Sequence, residues 1–183
     1  SAGVISHSRL GNIEWRIVRN LMLGSIPASF LMTYYLKGID LYAYENVKII
    51  NFSLGLALIL TSIAVIFQPL ISKKTGVQKT RALKNTTILT ILLGLSLGVL
   101  VTLTSVGAGA MGVTALLLLY PKMSIKKIVG TDIAHAVPLT LFAGLGHWNL
   151  GTVNTYLLLS LLIGSIPGIW LGSNLSSKID EKW

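Results

Sequence analysis

The chain has 183 residues, 52% of them hydrophobic and only 11% charged, with a mean hydropathy of +0.73. A soluble domain of this length carries about twice that charged fraction, so a water-soluble globular fold is excluded. Fifteen Lys and Arg against six Asp and Glu give a net charge of +9, and cysteine is absent. Disulfides and thiolate-held metals are thereby closed. The basic residues sit in short clusters between apolar runs, without an aromatic-interleaved patch, so they mark the loops of a membrane protein and no nucleic-acid partner.

In chain order, residues 1–15 lack the apolar stretch of a signal peptide. The first apolar run is Ile17–Leu36, with Gly24 and Pro27 inside it. The second is Ile49–Ile71, within the 24 uncharged residues between Lys48 and Lys73. Between Lys84 and Lys122 lie 37 uncharged residues. The apolar part, Asn85–Tyr120, as one straight helix would be about 55 Å long, too long for the roughly 30 Å of a bilayer core. Its middle, Thr104 to Gly112, is rich in small residues. The pattern predicts a span over Thr87–Leu103, a break, and a shorter returning segment over Val113–Tyr120 that begins as early as Gly107. Next comes Ile133–Leu145, expected to be broken at Pro138. Last is Val153–Leu175, with Pro167 inside it. The expected fold class is all-α: a polytopic integral membrane protein with broken or re-entrant helices.

Positive charge orients such a chain. The loop from Ser72 to Lys84 holds Lys73, Lys74, Lys79, Arg81 and Lys84 and no acid, which places it on the cytoplasmic side. Lys122, Lys126 and Lys127 mark a second cytoplasmic loop. Counting outward from these, Lys37–Lys48 and His147–Thr152 fall outside, and both termini fall inside.

The chain repeats itself. His7, Gly11 and Leu23-Gly24-Ser25-Ile26-Pro27 recur 140 residues later as His147, Gly151 and Ile163-Gly164-Ser165-Ile166-Pro167. The first copy begins inside and the second outside, so the repeats are expected to be inverted, an architecture found mainly in secondary transporters. Residues 1–84 would then be the remainder of the first repeat with its loop, and residues 85–183 the second. The partner of the glycine-rich break at Gly107–Gly112 falls before Ser1. The reading therefore expects the chain to lack the front of its first repeat; the alternative is a half-size protein completed by a partner chain.

The stretch from Ser105 through Pro121-Lys122, continued by Ile128-Val-Gly-Thr-Asp-Ile-Ala-His-Ala-Val-Pro-Leu-Thr, strongly resembles the TauE/SafE sulfite exporter family. Ile5-Ser-His, Gly11-Asn12 and the Gly-Ser-Ile-Pro segment are similar to that family's first half. The resemblance covers nearly the whole chain and is strongest from Ser105 to His147; family members extend further at the N-terminus. It implies movement of small organic or sulfur-containing anions, such as sulfite and sulfoacetate, across the bacterial cytoplasmic membrane.

For an anion carrier, Gly107, Gly109 and Gly112 are the first candidates. Glycine lets backbone N–H groups approach a ligand, and a half-helix starting near Met111 would present its positive end to an anion. Thr104 and Ser105 add hydroxyls. The competing reading is close helix packing through small residues. Asp132 and His135 share a helix face, and ionisable groups in a membrane segment commonly carry protons or substrate. Asp132 also fits a helix cap after Gly130-Thr131. His7 and His147 are expected near opposite membrane surfaces, as gates or as anchors. Pro138, like Pro27 and Pro167, is expected to kink or break its segment.

Together these readings predict a secondary transporter or exporter of a small anion, working by alternating access and coupled to protons. The lipid bilayer and the anion are its expected partners, with a homo-oligomer compatible. No metal, cofactor or nucleotide motif is visible, and no enzyme activity is expected. The alternative is a non-transporting scaffold or partner subunit.

Overall fold

The computed structural model describes residues 11–39, 43–74, 85–104 and 108–176. Among them the chain is helical, in six elements: α1 (Trp15–Lys37), α2 (Tyr44–Lys74), α3 (Thr86–Thr104), α4 (Ala108–Leu119), α5 (Ile125–Asn149) and α6 (Thr155–Ser176). Helices satisfy their own backbone hydrogen bonds, which is what an apolar surrounding demands. Tyr44–Phe67 of α2, all of α3 and all of α5 are long and apolar enough to cross a membrane. The outward faces agree: Leu31, Phe52, Ile66, Ile88, Leu92 and Leu141 are exposed. Such an all-round apolar surface belongs in lipid. The protein is a polytopic membrane protein.

The described residues up to Gly146 form one compact unit and those from His147 onward another. In the first, α1 is the central element. Its Leu21, Ser25 and Ser29 meet Gly94, Gly98 and Thr102 of α3 in turn. Numbers rise together on both helices, so α1 and α3 run parallel. The contact is backbone on backbone. A Cβ at Gly94 would lie on the Leu21 carbonyl oxygen, and one at Gly24 on the Ile91 carbonyl oxygen. Small residues one turn apart permit that approach where no solvent drives helices together. On its other flank α1 meets α5, with Phe30 and Phe142 rings 5.5 Å apart. Ile17 and Leu21 complete a core with Val113, Leu116, Leu117 and Ile128.

The expected break in the long apolar stretch is present: α3 and α4 are separate helices. They run in opposite senses, because Tyr120, just after α4, hydrogen-bonds Thr90 near the start of α3 at 2.6 Å. Thr90 spends its own proton on the Thr86 carbonyl, so the Tyr120 hydroxyl donates. With 12 residues, α4 is about 18 Å long and reaches only part-way through a bilayer core.

Two expectations about α5 are corrected. It begins at Ile125, eight residues before the expected Ile133, and it does not stop at Pro138. The helix start was misplaced because Gly130-Thr131 was read as a boundary; both residues are buried inside α5. Proline removes one backbone bond, but the bonds on either side of Pro138 carry the helix onward. Pro27 and Pro167 likewise lie inside continuous helices.

In the second unit, the chain leaves α5 through a C-terminal motif. Thr152 N–H donates to the His147 carbonyl at 3.2 Å and Gly151 N–H to the Trp148 carbonyl at 3.0 Å, with Gly151 at φ 70°. This is the paired bonding that a left-handed glycine after a helix permits. Gly11 has φ 65°. The two positive-φ glycines of the described residues are thus 140 positions apart, and α1 and α6 start four residues after them, at Trp15 and Thr155.

Candidate functional site

The interior between α1, α3 and α5 holds several buried polar side chains. Among them Ser25 and Ser29 come from α1, Thr102 from α3, and Thr131, Asp132 and His135 from α5. Thr131 is settled: its hydroxyl donates to the Lys127 carbonyl at 2.6 Å and accepts the Glu14 N–H at 3.0 Å. Thr102 donates to the Ser29 hydroxyl at 2.8 Å. Ser25 Oγ lies 2.9 Å from His135 Nε2, with both residues fully buried. The helix positions explain the meeting. Ser25 is presented by the same small-residue face that brings α1 against α3, and Gly98 leaves room for its backbone.

Asp132 and His135 are one turn apart on α5 and are 1% and 0% exposed. Asp132 Oδ1 and His135 Nδ1 are fully enclosed side-chain polar atoms that lack a hydrogen-bond partner among the described residues. A buried polar atom without a partner costs about 1–3 kcal/mol, and a charged one more. Most native buried polar groups therefore find partners. Two such atoms one turn apart on one helix form a place where a ligand or a proton has something to gain.

The capping role considered for Asp132 is ruled out, because α5 starts two turns earlier. Asp132 instead points at α4: a Cβ on Gly112 would collide with Asp132 Oδ1. Gly112 is therefore required by close approach of a carboxylate to the half-length helix. Gly109 is exposed, and a Cβ there would meet nothing. Pro138 lies one turn beyond His135 on α5. His147 is in the second unit, where its Nδ1 lies 3.1 Å from Thr152 Oγ1 within the helix-ending motif. His7, Ser105 and Gly107 lie outside the described residues. The structure thus brings Gly112, Asp132 and His135 together and adds Ser25.

Sequence reasoning used Ser25 only as a landmark of the repeat and passed over Ser29, Thr102 and the Gly94–Gly98 pair. The last was legible as two glycines four apart on an apolar helix, the spacing of close helix pairs. The partner of His135 was not, since 110 residues separate it from Ser25.

The whole chain, residues 1–183, matches the family described as sulfite exporter TauE/SafE. The chain is 36% identical over 182 residues to "Probable membrane transporter protein YjnA" of Bacillus subtilis (strain 168), covering 98% of this chain and 71% of that protein. It is 25% identical over 176 residues to "Probable membrane transporter protein YdhB" of the same organism, covering 96% of this chain and 69% of that protein. No solved structure gives a significant match.

Proposed function

The chain belongs to the sulfite exporter TauE/SafE family, a family of membrane transporters, and from that premise we propose that it carries a small anion across the bacterial cytoplasmic membrane together with a proton. Sulfite, sulfoacetate or a related organosulfur anion is the substrate. The observation that supports this reading most directly is the pair of unpartnered atoms, Asp132 Oδ1 and His135 Nδ1, buried one turn apart.

The chemistry follows from donor and acceptor inventory. An ionised carboxylate only accepts hydrogen bonds and repels an anion. The same group with a proton donates one. Histidine with both ring nitrogens protonated donates from both. An anion reaching this place is therefore held when a proton accompanies it and released when the proton leaves. Ser25 engages one nitrogen of the His135 ring and leaves the other, buried, without a partner among the described residues. Gly112 lets the half-length helix α4 lie against the carboxylate, with the positive end of that helix four residues away.

Access from alternate sides fits a pair of inverted repeats, residues 1–84 and 85–183. The equal spacing of Gly11 and Gly151, and of the helix starts that follow them, supports that division. The lysine-rich ends of the helices face the cytoplasm in this scheme.

The test is uptake of labelled sulfoacetate by proteoliposomes under an imposed pH gradient. Wild-type uptake is expected to follow the gradient. Asp132→Asn, which keeps the shape and cannot exchange a proton, is expected to leave uptake insensitive to it. Gradient-dependent uptake by Asp132→Asn at the wild-type rate contradicts the proton role.

A further inference from the structure

A cavity of about 310 Å³ opens where α1 and α3 begin, lined by Glu14, Arg16, Asn20, Thr86, Thr87 and Tyr120, among others. Because α1 and α3 are parallel, both present their N-terminal ends here. Neither helix carries an acidic residue in its first turn. The first turns of two helices, each at the positive end of its dipole, therefore border one space.

A helix end alone is a weak signal. The second observation is Asn20. It is 7% exposed, lines the cavity, and its side-chain amide makes no hydrogen bond among the described residues. A buried amide with two donors and one acceptor is normally tied to its neighbours. Here the cavity is what it faces. Arg16 adds a guanidinium at the rim, and the threonines add hydroxyls. The one acid in the lining, Glu14, is held by Lys127, whose Nζ lies 3.4 Å from Glu14 Oε2. That pair leaves the balance of the site positive, because Arg16 is not matched by a second carboxylate among the lining residues.

We propose that this cavity is a second anion site, a loading vestibule that binds a small oxyanion such as a sulfonate or sulfite before it reaches the buried Ser25–His135 pair. It rests on the transport reading only for its order in the path; the anion binding stands by itself. Asn20 precedes Ser25 by five residues on α1, about 7.5 Å along the axis. An anion in the vestibule is therefore near the interior site without occupying it. The volume suits a molecule of a few heavy atoms with its hydration partly retained, since a water takes about 30 Å³.

The experiment is calorimetric titration of the full chain in lipid nanodiscs with sulfoacetate, for wild type, Asn20→Asp, Asn20→Leu and His135→Ala. Asn20→Asp keeps the side chain's shape and places a carboxylate in the vestibule. It is expected to weaken binding at least tenfold, and Asn20→Leu by a similar factor. Thermal unfolding of each variant within a few degrees of wild type establishes that the fold is retained. His135→Ala is expected to keep one binding event while losing transport. Wild-type affinity in folded Asn20→Asp overturns the vestibule. If Asn20→Leu fails to fold, the isosteric Asn20→Asp decides alone. Should His135→Ala transport normally while Asn20→Asp loses binding, the buried-site reading fails and the vestibule stands.

Discussion

Asp132 and His135 draw their meaning from burial. In a membrane helix an ionisable side chain is expensive, whatever its exact cost at a given depth, and these two sit fully inside the bundle with one polar atom each unmatched. Gly112 is the third member of the set, because only hydrogen at its Cα leaves space for the Asp132 oxygen. Gly112→Ala should therefore displace the carboxylate. Anion flux is expected to fall at least tenfold, while Gly144→Ala, on an exposed position where a Cβ meets nothing, leaves flux within twofold. Equal flux in the two variants would show that the Asp132 position is irrelevant. The pairing of Asp132 with His135 was legible from their spacing alone, as residues three apart share a helix face. The Asp132–Gly112 approach was not, since it depends on how the half-length helix returns. Gly112 was singled out as a glycine that lets backbone N–H groups approach an anion at a half-helix start, and the structure shows a carboxylate side chain against it.

At the scale of elements, the parallel pair α1 and α3 carries the interior. Its closeness comes from Gly24, Gly94 and Gly98, with Ser25 and Ala28 opposite. Without water between them, helices in lipid hold together by packing and a few hydrogen bonds; here Ser29 and Thr102 add one. Gly98→Leu would drive a side chain into the Ser25 backbone. Overpacking of this kind costs about 1–3 kcal/mol or more, and thermal unfolding in detergent should register it as a loss of several degrees. An unchanged midpoint would mean the close crossing is not what holds α1 in place. The elements themselves were largely readable from charge gaps, since an apolar run bounded by lysines leaves little choice. The start of α5 was not, because Lys126 and Lys127 lie inside its first turn. Basic residues at a membrane helix end look the same in sequence whether they belong to the helix or to the loop. The prolines do not end their helices: in a long helix flanked by neighbours, one missing bond is tolerated.

For the whole molecule, the directions of the helices matter most. α1, α3 and α5 begin at one end: Glu14 at the start of α1 pairs with Lys127 at the start of α5, and Arg16 and Thr86 border the same cavity. That shared end carries Arg16, Arg19, Lys126 and Lys127, as the charge count anticipated. The equal spacing of Gly11 and Gly151 gives the repeat a conformational counterpart, because both adopt the same left-handed backbone. Within this frame the proposed vestibule at the basic end and the buried ionisable pair deeper in the bundle would be two stations of the proposed path. The most direct test is anion flux through proteoliposomes containing the full chain, wild type against His135→Ala and Ser25→Ala. The account predicts that His135→Ala abolishes flux and that Ser25→Ala, which frees the ring without removing it, lowers flux about tenfold, with both proteins folded. Wild-type flux in folded His135→Ala would contradict it.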